Sequence, residues 1–293
     1  MTAADLVVPR LDGVDVLAEW SLDPLQLAPF VVLGAMYAVR ARTLARRGAP
    51  VARWRVVSFG FGLLVALLAV VSPLHELGEE RLFSAHMLQH VLVGDVAALA
   101  VVAGLTGPLL RPLLALRPVN ALRVLGHPLV ALPLWAANLV LWHLPVFYEA
   151  ALRSEALHVL EHACFFGFGA LMWAPVVEVL PGPRWFGTGA KVGYIVVVRL
   201  IETALGNVFF WAGSVFYGTY AHAERLWGIS PAADQGIAGG VMMIEGSLVT
   251  LGALAWLFLR MWSEGERRQE LLERGLDPAA VQRAVRYGRA ERL

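Results

Sequence analysis

Phe83-Ser84-Ala85-His86-Met87-Leu88-Gln89-His90 heads an apolar run that continues to Gly104, and its reading decides the fold. The run is about as long as the ~20 residues a helix needs to cross a bilayer. Residues four apart lie about 40° from each other around an α-helix, so His86 and His90 share one face. A second pair of the same spacing, His158-Val159-Leu160-Glu161-His162, opens another apolar run later in the chain. Polar side chains at membrane depth are costly, so two such pairs require a reason.

The composition extends this reading to the whole chain. Its 293 residues are 58% hydrophobic and 16% charged, with a mean hydropathy of +0.63, far from soluble-domain averages. Seven apolar segments of spanning length fall at about 24–41, 55–74, 82–104, 127–147, 156–180, 190–217 and 234–262. The expected fold is therefore an all-α, seven-helix polytopic membrane protein. Pro24, Pro128 and Pro231 fall near helix starts, where a missing N–H is tolerated. Pro133 predicts a kink in the fourth helix. Gly236 and Gly240 have the spacing that permits close helix packing.

Charge orients the bundle. Nineteen basic residues fall in the loops and ends of one side, beginning with Arg40, Arg42, Arg46, Arg47, Arg53 and Arg55; four (Arg10, Arg81, Arg153, Arg225) fall on the other. By the positive-inside rule the N-terminus is expected outside and the C-terminus in the cytoplasm. The chain then divides into an extracytoplasmic segment 1–23, a membrane domain 24–262 and a cytoplasmic helical tail 263–293. Segment 1–23 carries Asp5, Asp12, Asp15 and Glu19 and has no basic region leading an apolar core, so it does not read as a cleavable signal peptide. The tail mixes signs and restarts at Asp277-Pro278, which reads as a helical hairpin able to touch anionic lipid. The single Cys164 excludes an intrachain disulfide and any paired-thiolate site.

With that topology, seven of the eight histidines fall in the outer half, and only His127 at the inner end. At 1.5 Å per residue, His86 and His90 lie roughly 6 and 12 Å below the outer boundary, and His158 and His162 about 3 and 9 Å. His143 reaches a similar depth from the end of the fourth segment. Five imidazoles from three helices thus occupy one slab, with Met87, Met242, Met243 and Asp234 at comparable levels. Neutral imidazole is the commonest metal ligand, and thioether adds a preference for Cu(I). The expected ligands are His86, His90, His143, His158 and His162, with Met87, His75, Asp234 and Met242 as additional candidates. Glu161 and Gln89 are expected to act from outside the ligand set, Glu161 as an acceptor that fixes a ring tautomer. Asp95, Arg199, Glu202 and Glu245 fall near mid-membrane; an Asp95–Arg199 ion pair is the plain reading and a polar pathway the sharper one.

Ser72-Pro73-Leu74, His86-Met87-x-Gln89-His90, Trp142-His143-x-Pro145-x-x-Tyr148, His158-x-x-Glu161-His162 and Asp234-Gln235-x-x-Ala238-Gly239 occur in this order. Together they resemble the CtaG family of polytopic cytochrome c oxidase assembly factors, associated with caa(3)-type oxidase assembly, over about residues 20–262. The resemblance implies a bacterial plasma-membrane protein that helps mature a haem–copper oxidase by forming the CuB centre of subunit I. Two positions depart from the pattern. Met242-Met243 stands where Met-Trp is favoured, and His75 where an acidic residue is expected; either implies an added ligand or another client.

The leading expectation is a non-enzymatic copper-binding assembly factor. It would hold Cu(I) through His86, His90, His158 and His162, with His143 and Met87 or Met242 assisting. Its expected partners are oxidase subunit I, an extracytoplasmic copper donor protein and membrane lipid, with no nucleic acid. The alternatives are an intramembrane zinc hydrolase or hydroxylase with Glu161 as general base, and a single bis-histidine b-type haem protein.

Overall fold

The computed structural model describes residues 20, 24–223 and 225–286. Apart from Trp20, the N-terminal segment 1–23 lies outside the described residues, as do 287–293. The described residues form helices joined by turns and short irregular connections, with no strand among them.

The main helices are α1 (Pro24–Arg46), α2 (Arg53–Val71), α3 (Phe83–Gly104), α4 (Pro128–His143), α5 (Glu155–Val177), α6 (Thr188–Phe210), α7 (Pro231–Glu273) and α8 (Pro278–Arg286). Six of them are long and apolar enough to cross a membrane: α1, α2, α3, α5, α6 and α7. The seventh candidate is a broken one. The segment Arg117–Gly126 meets α4 at a bend of 82°, and α4 itself has only 16 residues. The break falls at His127-Pro128, and the helix continues past Pro133 to His143. Leu144-Pro145 ends α4 and starts a separate short helix, Pro145–Leu152, so the fourth segment does not reach residue 147 as one helix. Pro24, Pro128 and Pro231 do open helices.

The bundle shows the polarity expected of a lipid solvent. Val32, Val57, Leu129, Leu200, Ile244, Leu251 and Phe258 face outward, while His86, Gln89, Asn138, Glu161, Asp234 and Gln235 are buried. The close approach of α6 and α7 depends on Gly239, where an added Cβ would lie 2.5 Å from the carbonyl oxygen of Gly206. Gly240 has open space around it, so the packing glycine of this helix is one residue off the anticipated pair. At the arginine-bearing end, Arg55 on α2 donates to the carbonyls of Ala103 and Leu105 at 2.8 Å each. There Glu178, in a left-handed cap after α5, pairs with Lys191 (2.8 Å) and Arg260 (2.6 Å). Helix α7 does not stop near residue 262 but continues to Glu273. The chain then turns at Gly275 (φ 78°), and α8 starts under an Asp277 cap that accepts from the Ala280 amide at 2.8 Å.

Helix α3 is not uniform. Between Phe83–Val91 and Ala98–Gly104 lies a π-helical turn, Leu92–Ala97, which closes its hydrogen bonds over one more residue than an α-turn. No residue pattern announces it.

Candidate metal centre

A proline break and a carboxylate clamp position the first histidine pair. After α2, Ser72-Pro73 stops the helix, and the Ser72 carbonyl accepts from the His75 amide at 3.0 Å. The short helix Leu74–Glu76 and a π-turn over Leu77–Arg81 then fold across the start of α3. Gly78 permits this: a Cβ there would meet the backbone of His86 at 2.9 Å. The start of α3 is in turn clamped by α7. The Asp234 carboxylate accepts from the Phe83 amide (2.7 Å), the Ser84 amide (3.1 Å) and the Ser84 hydroxyl (2.5 Å). These are the free N–H groups of a helix start, and a carboxylate there is favoured by hydrogen bonding and by the helix dipole. Asp234 therefore spends its oxygens on α3 and lies outside the group of convergent ligand atoms, although its level in the membrane made it a candidate. Its neighbour Gln235 ties the 211–217 loop, accepting from the Phe216 amide (2.8 Å) and donating to the Ser214 carbonyl (3.0 Å).

So positioned, His86, His90, His158 and Glu161 present nitrogen and oxygen atoms that all lie within 4.8 Å of one another. The His86 and His90 Nε2 atoms are 2.8 Å apart. The His90 and His158 Nε2 atoms stand 3.9 and 4.0 Å from different oxygens of Glu161. Nitrogens bound at about 2.05 Å to one tetrahedral metal ion would be ~3.3 Å apart, so the His86–His90 pair needs to open by only about half an ångström. All four side chains are buried, Glu161 completely, and both Glu161 oxygens, His86 Nδ1, His90 Nδ1 and His158 Nε2 lack hydrogen-bond partners. Leaving a buried acceptor unsatisfied costs about 1–3 kcal/mol. A shared cation would satisfy several of these atoms at once, so the residues fit a metal ion.

A hydrogen-bond chain leads into this centre from α2. Gln89 Nε2 donates to the Ala69 carbonyl (2.9 Å) and contacts His75 Nδ1 (3.0 Å). With that lone pair taken, His75 offers its Nε2–H to Glu79 Oε1 at 3.2 Å. The same oxygen contacts His158 Nδ1 at short range. Burial raises the Glu79 carboxyl, but its contacts with His158 and His75 outweigh it and hold the group below its ordinary value. Burial likewise holds His75 below its own ordinary value. An ionised Glu79 fixes the proton of His158 on Nδ1 and aims the Nε2 lone pair at the centre, the usual carboxylate–histidine arrangement at metal sites.

His75, Glu79 and His158 also form a compact group by themselves. The direction of the hydrogen bonds makes it a support for His158 rather than a second set of free lone pairs. Glu79 was missed from sequence because it sits in a charged run, Glu79-Glu80-Arg81, that reads as a loop; the one available signal was its four-residue spacing from His75. Glu161 was expected outside the ligand set; the structure brings its carboxylate into the same four-residue group as His86, His90 and His158.

The other sequence candidates divide. His162 flanks the centre, its ring 4.3 Å from that of His158 and 5.4 Å from that of His90, but it does not share the four-residue group. His143 is separate as well: its ring contacts Phe165 and Phe209, and Nδ1 lies 2.7 Å from the Leu139 carbonyl. Met87 and Met242 belong to an apolar cluster with Phe83, Tyr148, Tyr217 and Tyr220. Those tyrosines roof His86: Tyr148 is 5.1 Å from its ring, stacks on Tyr217 at 4.0 Å and meets the Tyr220 hydroxyl at 3.0 Å.

The expected Asp95–Arg199 ion pair does not form. Asp95 accepts from the Trp173 indole at 2.6 Å, while Arg199 donates to the Met243 carbonyl (2.8 Å) and Ser247 (2.7 Å) and approaches Glu202 at 3.9 Å. Equal depth did not imply facing sides.

A family described as cytochrome c oxidase caa3 assembly factor matches residues 35–264, a stretch that includes every side chain of the centre. Uncharacterized proteins of Mycobacterium bovis and Mycobacterium tuberculosis are each 24% identical over 272 residues, covering 86% of this chain and 40% of theirs. The chain thus spans well under half the length of these curated relatives. No solved structure matches it.

Proposed function

Because the chain belongs to the cytochrome c oxidase caa3 assembly factor family, we propose that it carries copper as cargo for a haem–copper oxidase. The cargo is Cu(I), held by His86, His90, His158 and Glu161 and passed to the CuB ligands of subunit I. The membrane is the bacterial plasma membrane, with the N-terminus outside, the tail from 263 in the cytoplasm and the centre in the outer half. The arginine bias between the loops supports this orientation. The role is that of a binding protein rather than an enzyme, and it takes its metal from an extracytoplasmic donor.

One observation carries the reading: Glu161 is fully buried, with both oxygens unpartnered, facing three imidazoles. Imidazole nitrogens suit copper, Glu161 supplies negative charge to offset a buried cation, and membership of an oxidase assembly family points to copper as the cargo. For release, the His86–His90 pair can re-form its own hydrogen bond as the ion leaves, which lowers the cost of emptying the centre. Glu79 keeps His158 in its binding tautomer throughout.

Metal analysis and an optical spectrum of the purified protein, beside His86→Ala/His90→Ala, test the proposal. Copper present in the wild type and lost from the variant is the expected result. Bound zinc with lipid turnover, or a Soret band, would replace copper transport by one of the other two chemistries.

A further inference from the structure

Beside the four-residue centre, and reaching toward mid-membrane, lies a space of about 50 Å³ between α3, α4, α5, α6 and α7. A water needs about 10–15 Å³ on the same measure, so the space admits an ion or a few waters. Met87, Met242, His90 and His143 line it, together with the carboxyl groups of Asp95, Glu202 and Glu245; no lysine or arginine does. His143 is 7% exposed and its Nδ1–H is committed to the Leu139 carbonyl at 2.7 Å. Its Nε2 therefore carries a free lone pair, and that atom is buried without a partner. Met87 and Met242 are buried and line the same space. Phe165 contacts both rings, 4.4 Å from His90 and 5.8 Å from His143, so His143 belongs to this space rather than to the group above.

We propose that this cavity is a second, Cu(I)-selective site, formed by His143 Nε2 and the thioethers of Met87 and Met242. One imidazole and two thioethers form a soft donor set that suits Cu(I) and serves Zn(II) poorly. The three carboxyl groups give the cavity the polarity to receive a cation inside a membrane. His90 borders both sites, its Nε2 against His86 above and its ring on the cavity wall, so an ion can pass between them without crossing lipid. The inference rests on the reading that the protein handles copper, and it adds a station: the four-residue (upper) centre takes the ion from outside, and the neighbouring thioether site holds it next.

The full chain, purified in detergent and stripped of metal, is titrated with Cu(I) against a chromophoric chelator under anaerobic reducing conditions, and in parallel with Zn(II). Two Cu(I) but one Zn(II) per chain are expected, with sulfur scattering in the copper X-ray absorption spectrum. Met87→Leu/Met242→Leu, which keeps the core volume, should lose one Cu(I) and the sulfur shell while keeping Zn(II). His158→Ala should keep the sulfur-bound Cu(I). One Cu(I) per wild-type chain without sulfur scattering overturns the second site and leaves the upper centre standing, as does unchanged copper in the methionine variant. No copper in any form overturns both.

Discussion

Glu161→Leu separates a binding role from a structural one. A carboxyl retained for stability should leave the protein weaker when removed. Glu161 has two buried oxygens with no hydrogen-bond partner, and its nearest imidazole nitrogens stand at 3.9 and 4.0 Å. Each orphaned acceptor costs about 1–3 kcal/mol; taking the low end, because the imidazoles compensate in part, leucine should recover about 2 kcal/mol in the metal-free protein. At ~2–4 °C per kcal/mol for a chain approaching this size, Tm should rise by about 4–8 °C. Copper should then act oppositely on the two proteins. At a hundredfold excess over Kd it adds about 2.7 kcal/mol to the wild type, and a much smaller amount to the variant. The assay is thermal unfolding by tryptophan fluorescence in detergent, with and without Cu(I). A metal-free Glu161→Leu protein that melts below wild type would refute the reasoning, because the carboxyl would then be stabilising the fold by itself.

Three further outcomes follow from contacts described above. Glu79→Gln removes the charge that fixes the His158 tautomer, so Cu(I) affinity should fall ~10–100-fold without a change in the stoichiometry of the upper centre; chelator competition reads it, and unchanged affinity would count against the support chain. Asp234→Asn weakens three hydrogen bonds at the start of α3 and should cost about 2–3 kcal/mol, seen as a lower Tm and faster amide exchange at Phe83 and Ser84. Burial raises Glu178, but Lys191 and Arg260 outweigh it and depress its carboxyl below 4.5. The stabilisation is therefore full above the unfolded pKa and lost as pH falls through the folded one. Glu178→Gln should flatten that acid limb in unfolding measured from neutrality down to below about pH 4; an unaltered limb would remove this group from the acid response.

Much of this was legible because a bilayer imposes simple constraints. Apolar length located six spans, and prolines at 24, 128 and 231 marked helix starts. The two histidine pairs were visible because four-residue spacing fixes a face. What spacing could not supply was rotation between helices: Asp95 and Arg199 share a depth but face different partners, and His143 shares the level of His90 but lies across Phe165 from it. Glu79 was hidden because its position depends on how a turn folds back, which Pro73 and Gly78 permit but do not advertise. Asp234 looked like a ligand because a carboxylate at the end of one helix gives no hint that it caps another.

The π-turn in α3 makes that helix two rods spliced out of phase. In an unbroken α-helix Asp95 would sit about 140° round from His90; the wider turn brings it back far enough that both border one cavity. The turn absorbs one residue more than an α-helix would hold there, so a deletion within 92–97 would leave the two halves in nearly the same relative phase. The vulnerable property of α3 is the opposite change: a further residue inserted beside the turn, with no second bulge to absorb it, would swing the histidine half by about 100° against the rest of the bundle and dismantle both sites together.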